Sequence, residues 1–203
     1  LGEELGRFAG WFVNPLLGYD PTEAEVRLLG AFSERLIATA LEQPRVFVHR
    51  DFHSRNLMCL PGGELGVIDF QDAVLGPLTY DPVSLLRDCY VRWPSTSVER
   101  WALAYRQQRL ATGLPAGASD EEFLRWFDWM GLHRHLKVLG TFARLHLRDG
   151  KSTYLDDLPL VLAYVREITA RYAASEPLFA EVQAWFQQRL DPLIQRQPWS
   201  RSA

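Results

Sequence analysis

Apolar positions recur at two different spacings along this chain, and the change of spacing predicts which segments form helices and which form strands. From Pro21 to Leu41, and through most of the chain after Pro82, apolar residues recur every three or four positions, as on the buried face of a helix. Short apolar runs at 46–48, 57–60 and 65–68 are instead typical of strands. The pattern predicts an α+β protein that is mostly helical.

Capping residues indicate where the helices begin and end. Asp20-Pro21-Thr22-Glu23 predicts the start of a helix that continues to Leu41, and Asp149-Gly150 predicts a helix end. Ser119 and Glu122 have the spacing of a capping box. The other predicted helices are approximately 82–91, 98–111, 120–147, 155–172 and 181–190. In 120–147 the predicted core stripe is Phe123, Phe127, Met130, Leu132, Leu136, Leu139 and Ala143.

The segment Pro61-Gly62-Gly63-Glu64 separates two of the predicted strands and predicts a tight hairpin. A Gly-Gly centre supplies the positive φ angles that a two-residue turn requires. An antiparallel register centred between Gly62 and Gly63 would set Leu60 opposite Leu65 and Asn56 opposite Asp69. The two polar residues would then meet at the open end of the hairpin.

Composition limits the class of protein. The 203 residues are 47% hydrophobic and 23% charged, which fits one compact soluble domain. A net charge of −3 argues against a nucleic-acid partner. Cys59 and Cys89 fall in predicted elements, so we expect reduced core thiols, although a disulfide between them is an alternative. With neither a membrane-spanning run nor a signal peptide in the sequence, we expect a cytoplasmic protein without a membrane partner.

Three polar residues near the predicted hairpin have the chemistry that phosphoryl transfer needs. Asp51 can accept the proton of an attacking hydroxyl, while Asn56 and Asp69 offer oxygen ligands suited to Mg²⁺ held against nucleotide phosphates. Taken singly, each could equally cap a turn or end a strand. The combined pattern His-x-Asp-x-x-x-x-Asn, followed thirteen residues later by an aspartate across a Gly-rich hairpin, favours the catalytic interpretation.

The stretch from Val46 to Asp88 resembles the aminoglycoside phosphotransferase and choline kinase superfamily, whose members are distant relatives of protein kinases. The resemblance implies the C-terminal lobe of a protein-kinase-like fold that uses ATP and Mg²⁺. It matches Asp51 to the catalytic base and both Asn56 and Asp69 to the metal ligands. His49 and Asp81 match the residues that support the catalytic loop.

A narrower resemblance is to the bacterial anomeric amino-sugar kinases, carried by His49 to Met58, Ile68 to Val74, Tyr80 to Asp88 and Arg134 to Gly140. It implies ATP-dependent phosphorylation of the C1 hydroxyl of N-acetylmuramate or N-acetylglucosamine in cell-wall recycling. The loop departs from aminoglycoside kinases, which usually have Gly where Arg50 stands and commonly have Pro-Gly in place of Ser54-Arg55.

Several polar residues near these motifs are candidates for binding a small amino-sugar substrate. Paired polar groups discriminate a substrate that carries a hydroxyl from one that lacks it. Surface or core-network roles are equally open for most of them. The candidates are His53, Arg55, Gln71, Asp72, Arg87 and Asp88. His133, His135 and His146 lack the spacing of a helical metal site, so we expect packing or surface roles for them.

No Gly-rich phosphate loop and no strand lysine precede His49, because the first lysine of the chain is Lys137. We therefore expect residues 1–203 to be a single C-terminal lobe whose N-terminal nucleotide-binding β lobe lies outside this sequence. Such a lobe should fold but turn over little or no ATP. Two alternatives remain open, namely a kinase of an aminoglycoside, choline or another amino alcohol, and a non-catalytic kinase-like binding module.

Overall fold

The computed structural model describes residues 1–201, which divide into two compact units. Residues 1–38 and 132–201 form one unit, which we call the helical unit. Residues 39–131 form the other, which we call the loop unit. The candidate site residues between His49 and Asp88 all belong to the loop unit, so the candidate chemistry can be described within one compact body.

Helices dominate both units, as the sequence pattern predicts. Each predicted helix is present, but α3 ends at Leu86, earlier than expected, and the predicted helix 181–190 is a short α-helix followed by a wider π turn at Phe186–Leu190. A second π turn, Phe8–Leu16, follows the opening helix. The helices are α1 (Gly2–Arg7), α2 (Glu23–Glu42), α3 (Tyr80–Leu86), α4 (Ser95–Ala111), α5 (Asp120–Asp149), α6 (Leu158–Tyr172), α7 (Pro177–Trp185) and α8 (Asp191–Ile194).

The cap of α2 differs from the predicted one. Thr22 and Glu25 form a reciprocal capping box, in which the Glu25 N–H donates to Thr22 Oγ1 at 3.4 Å and the Thr22 N–H donates to Glu25 Oε2 at 2.8 Å. The predicted cap at Asp20 is therefore wrong by two residues. The predicted cap at Ser119 is confirmed, because the Glu122 N–H donates to Ser119 Oγ at 3.1 Å.

The strands of the loop unit form two antiparallel pairs. The first pair joins β1 (Arg45–Val48) to β4 (Val74–Pro77), and the second joins β2 (Leu57–Cys59) to β3 (Leu65–Val67). Strand β4 was not predicted, because its Gly-Pro end is typical of a turn. It returns the chain to β1 immediately before α3, and so brings α3 near the start of the candidate loop.

The β2–β3 hairpin is one residue out of the predicted register. Cys59 pairs with Leu65, and the Leu60 N–H donates to the carbonyl of Glu64 at 2.9 Å, which leaves the three-residue loop 61–63. The predicted two-residue turn would have placed Pro61 opposite Glu64, where proline has no N–H to donate. The pairing of Asn56 with Asp69 is therefore wrong for the backbone, since the Ile68 N–H donates to the Asn56 carbonyl.

Apolar side chains fill both units. The predicted stripe of α5 is confirmed, because all seven of its residues are buried. In the loop unit a buried cluster forms around Leu78, Val83, Phe123 and Phe127. Cys89 is buried, but Cys59 is exposed, so the prediction of two core thiols is wrong for Cys59. No helix within residues 1–201 is long and apolar enough to cross a membrane.

Gly140 of α5 lies against the opening helix of the helical unit. A Cβ at this position would lie 2.3 Å from the backbone carbonyl of Arg7 and 2.7 Å from the amide nitrogen of Phe8. Backbone atoms cannot rotate away as the end of a side chain can. The close approach therefore requires glycine.

We expect Gly140→Ala to destabilise the protein by about 1–3 kcal/mol, lowering Tm by roughly 2–12 °C, because the packed backbones must separate. Gly30→Ala is the matched control. Gly30 is an exposed residue of α2 with no atom within 4 Å of its added Cβ, and alanine should favour the helix there. Thermal unfolding followed by circular dichroism measures both, and an unchanged Tm for Gly140→Ala would contradict the packing.

Candidate active site

The carboxylate of Asp81 holds the beginning of the candidate loop. Asp81 lies in the first turn of α3, and its Oδ2 and Oδ1 accept hydrogen bonds from the backbone N–H groups of His49 at 2.7 Å and Arg50 at 3.1 Å. Arg50 has φ +77°, a left-handed conformation that favours glycine. The two hydrogen bonds therefore hold the loop in a conformation that an arginine rarely adopts.

Asp81 is itself held in position by buried polar contacts at the start of α3. Thr79 immediately precedes α3, and both its N–H and its hydroxyl donate to Gln43 Oε1, at 3.0 and 2.8 Å. The Thr79 hydroxyl also lies 3.2 Å from the carbonyl oxygen of Trp126. Buried polar groups satisfied in this way have one favourable arrangement. The start of α3, and with it Asp81, is thereby fixed in the loop unit.

His49 connects the loop to the end of strand β3. The residue is 5% exposed, and its Nε2 lies 3.0 Å from the carbonyl oxygen of Ile68. Because a carbonyl can only accept, Nε2 carries the proton of this hydrogen bond. The ring also packs edge-on against Phe52, with 5.8 Å between centroids. These contacts are those of a residue that supports the loop, which is the role that the sequence resemblance implies for it.

The segment from Asp51 to Asn56 folds back on itself. Ser54–Asn56 forms a single 3₁₀ turn, and the Asp51 carbonyl accepts from both the His53 N–H at 3.1 Å and Asn56 Nδ2 at 2.9 Å. The Asp51 carboxylate is half-buried and makes no hydrogen bond within residues 1–201. A carboxylate in this setting can accept a proton from a hydroxyl that approaches the loop.

Asp69 reaches Asn56 through an unusual backbone conformation rather than through strand pairing. Strand β3 ends at Val67, and Asp69 has φ +67°, which aspartate tolerates better than most residues. Its Oδ2 accepts from Asn56 Nδ2 at 3.3 Å. The two predicted metal ligands are therefore adjacent, although the register that predicted their contact is wrong.

The donor set at Asn56 and Asp69 fits a magnesium ion that is shared with nucleotide phosphates. Mg²⁺ is usually held by one or two protein oxygens, with phosphate oxygens and waters completing the octahedron. Asn56 Oδ1 and the Asp69 carboxylate would supply those protein oxygens. No cluster of three or more His, Cys, Asp or Glu side chains within residues 1–201 could hold a metal ion alone.

The remaining candidates divide into exposed and buried residues. Gln71 is exposed, and its Nε2 donates to Asp69 Oδ1 at 2.7 Å, which places it beside the candidate metal site. Asp72 is also exposed. Arg87 is buried, pairs with buried Asp128 at 2.5 Å and lies over the ring of Phe127. These contacts give Arg87 a structural role in the core and do not support substrate binding by it.

Asp88 and Tyr90 make a second set of contacts with the loop. Asp88 Oδ2 accepts from the Ser54 N–H at 2.8 Å, and its Oδ1 accepts from the Tyr90 N–H at 3.0 Å. The Tyr90 ring contacts both Arg55 and His53. Sequence reasoning missed Tyr90 altogether and included Asp88 only as a candidate for substrate binding. A signal for this role was present in the sequence, because an aspartate side chain can accept a hydrogen bond from the backbone amide two residues ahead. Such a hydrogen bond also competes with continuation of a helix such as α3.

Neither the histidines of α5 nor an apolar cavity of the helical unit extends this site. Burial lowers the pKa of His133 to about 4, His135 stacks on Tyr164, and half-buried His146 contacts Ser152. A cavity of about 260 Å³ belongs to the helical unit, and its lining is largely apolar, including Leu5, Phe8, Phe32, Leu136 and Phe186. An apolar cavity lacks the acids and amides that phosphoryl transfer requires, so we keep the loop unit as the candidate site.

Comparisons with known proteins find relatives that share one name. A protein of Neisseria meningitidis named N-acetylmuramate/N-acetylglucosamine kinase is 46% identical over 87% of this chain and 53% of its own length. A protein of Pseudomonas putida with the same name is 46% identical over 91% of this chain and 55% of its own length. One from Pseudomonas aeruginosa, again of that name, is 43% identical over 84% of this chain and 50% of its own length. The chain thus spans about half the length of these curated relatives.

A family model covers the whole candidate site. Residues 2–127 match the model described as the phosphotransferase enzyme family. The match includes the loop from His49 to Asn56, the metal-ligand candidate Asp69 and both carboxylates, Asp81 and Asp88, that hold the loop. The sequence match and the geometry of the loop unit lead to one conclusion: the chain belongs to the phosphotransferase enzyme family.

Proposed function

We propose that the whole protein transfers a phosphoryl group from ATP to the C1 hydroxyl of N-acetylmuramate or N-acetylglucosamine. Three observations support this proposal. The chain belongs to a phosphotransferase family, its relatives at 43–46% identity are named kinases of these two sugars, and its loop unit gathers an acid, an amide and a second acid at one place.

The observation that carries the proposal is the position of the Asn56 side chain. Its Nδ2 bridges the Asp51 carbonyl at 2.9 Å and the Asp69 carboxylate at 3.3 Å, so the candidate base and the candidate metal ligands share one small network. Phosphoryl transfer depends mainly on positioning and on charge neutralisation, and such a network supplies the positioning.

Each residue of the network has a distinct role in the proposed reaction. Asp51 accepts the proton of the attacking sugar hydroxyl, while Asn56 and Asp69 hold Mg²⁺ through oxygen atoms. When bound, magnesium ATP supplies the phosphoryl group and part of the charge neutralisation. His49 and Asp81 keep the loop in the conformation that these roles require.

We also propose that an N-terminal nucleotide-binding lobe of the whole protein packs against the strands of the loop unit. Nine large apolar side chains in this region are exposed, which is unusual for a surface that stays in water. They are Phe47, Met58, Leu60, Leu65, Val67, Ile68, Phe70, Val74 and Leu75. The relatives are nearly twice as long as the matched part of this chain, so a second lobe could cover these residues.

With that lobe removed, residues 1–203 should turn over little or no ATP, because half of the nucleotide site would be missing. We further propose a cytoplasmic location for the whole protein, since ATP is the phosphoryl donor. The proposals on the second lobe and on the low turnover both require that the nucleotide binds between the loop and that lobe.

A substrate panel tests the proposed function. The whole protein is given magnesium ATP with N-acetylmuramate, N-acetylglucosamine, an aminoglycoside or choline, and ADP release is measured against a blank without acceptor. We expect kcat/KM for at least one of the two sugars to exceed that for the aminoglycoside and choline by about 10²-fold or more. A preference for the aminoglycoside or choline, or ADP release that needs no acceptor, would refute the proposal.

A further inference from the structure

The carboxylate of Asp88 joins two segments that are separate in the sequence. Asp88 is 1% exposed, and it accepts hydrogen bonds from the backbone amides of Ser54 at 2.8 Å and Tyr90 at 3.0 Å. A buried carboxylate is unfavourable unless hydrogen bonds compensate for its lost hydration. The requirement for both amides therefore fixes where Ser54 and Tyr90 lie relative to each other.

Tyr90 carries this constraint to two side chains of the loop. The Arg55 guanidinium lies 3.5 Å from the centre of the Tyr90 ring, and the His53 ring meets it edge-on with 5.4 Å between centroids. A cation over the face of an aromatic ring is a favourable contact, and so is the edge-on meeting of two rings. Asp88 thus determines both the backbone from which His53 and Arg55 project and the ring against which they rest.

The metal-ligand side of the network also has contacts of its own, although the Asn56 N–H donates to the His53 carbonyl at 3.0 Å. Asn56 is held through Asp51 and Asp69, and Asp69 is also bonded by Gln71. The first part of the loop is held by Asp81. Loss of the Asp88 contacts should therefore disturb His53 and Arg55 more than Asn56 and Asp69, whose side chains keep their contacts with each other and with the Asp51 carbonyl.

Resting on the proposed function, we propose that Asp88 is a positioning residue for the acceptor substrate. It acts through Ser54 and Tyr90 to hold His53 and Arg55 where they bind the sugar. The proposal replaces direct substrate binding by Asp88, because its carboxylate is buried and both of its oxygens are engaged by backbone amides.

Ser54 offers a substitution that removes one hydrogen bond with little change of shape. His53 has φ −130° and ψ 170°, an extended conformation that suits a residue before proline, and Ser54 is the first residue of the 3₁₀ turn. Ser54→Pro should therefore fit the backbone while it deletes the N–H that Asp88 accepts. Ser54→Ala removes the hydroxyl but keeps the N–H, so the difference between the two variants isolates the hydrogen bond.

The experiment compares acceptor and nucleotide kinetics in the whole protein. We expect Asp88→Asn and Ser54→Pro each to lower kcat/KM for the sugar by about 10- to 100-fold, mainly through KM, with the KM for ATP changed by less than about twofold. The double variant that combines Asp88→Asn with Ser54→Pro should have the same kcat/KM for the sugar as Asp88→Asn alone, because both changes break the same contact. Asp128→Asn, which removes another buried carboxylate of the loop unit, is the control for general destabilisation.

Hydrogen exchange gives a readout that needs no activity. In Asp88→Asn the amides of Ser54 and Tyr90 should exchange at least about tenfold faster, while those of His49 and Arg50, which Asp81 holds, should keep their rates. If Asp88→Asn fails to fold, the kinetic test is made with Ser54→Pro, and the exchange rate of the Tyr90 amide is measured in that variant.

Three results would overturn the role of Asp88. They are an unchanged sugar KM in the folded variants, an equal rise in the KM values for sugar and ATP, and equal kinetics for Ser54→Pro and Ser54→Ala. If the whole protein phosphorylates a different acceptor, the proposed function fails, and the same comparison with that acceptor still decides whether Asp88 positions it.

Discussion

Replacing Asp51 with asparagine in the whole protein should lower kcat by about 10² to 10⁴, the range expected for loss of a positioned general base. Asparagine has nearly the same shape but cannot accept the proton of the sugar hydroxyl. The backbone carbonyl of residue 51 would still accept from Asn56, so the metal ligands should stay in place. Affinity for magnesium nucleotide should therefore change little, and steady-state kinetics with a nucleotide titration measures both quantities.

Glu64→Gln is the matched control for this prediction. Glu64 is an exposed acid beside the three-residue hairpin loop, and the same loss of one negative charge there should leave kcat close to that of the parent protein. If Asp51→Asn retained more than about a tenth of the parent kcat, Asp51 would not be the base that accepts the hydroxyl proton.

Replacing Asp69 should remove the magnesium-dependent part of nucleotide binding. Even residues that only orient a metal ligand change affinity by about 10- to 100-fold when replaced, so loss of a carboxylate ligand should weaken magnesium nucleotide binding by about 10²-fold or more. Calorimetric titration with ATP in the presence and absence of Mg²⁺ measures the difference. We expect the parent protein to show a large magnesium effect and Asp69→Ala to show little.

The conformation of Asp69 determines how this experiment is controlled. At φ +67° alanine is strained, and the strain costs about 1–3 kcal/mol, so Asp69→Ala combines a lost ligand with a backbone effect. Asp69→Asn keeps a residue that tolerates the left-handed conformation and changes mainly the charge. Magnesium-dependent binding that survives in both variants would show that Asp69 is not a metal ligand.

The sequence predicted the helices, and it grouped the candidate site residues in one motif, because both depend on local signals. Helical periodicity places the stripe of α5 in the core, and the capping box at Ser119 marks the start of that helix within a residue. The motif from His49 to Asn56 is contiguous, so its residues share one loop in any fold. Relatives that are 46% identical to this chain carry a kinase name, which agrees with the chemistry inferred from the motif.

Features that depend on backbone geometry were missed or wrong. The hairpin register shifted because Pro61 has no N–H to close a two-residue turn. Asp69 reaches Asn56 through a positive φ angle, which no spacing rule predicts. Burial of Asp88 depends on how α3 ends and on where the loop lies, so its polar character alone suggested substrate binding. In each case the outcome depends on backbone geometry or burial that the sequence pattern does not specify.

Phosphorus NMR of the reaction product tests the central claim most directly. The whole protein is incubated with magnesium ATP and N-acetylglucosamine or N-acetylmuramate, and the ³¹P spectrum is followed as ADP forms. We predict a new sugar phosphate signal whose phosphorus couples to the anomeric proton, because we propose that Asp51 accepts the proton of the C1 hydroxyl. ADP formation without a sugar phosphate, or a phosphate on any other hydroxyl, would contradict the account.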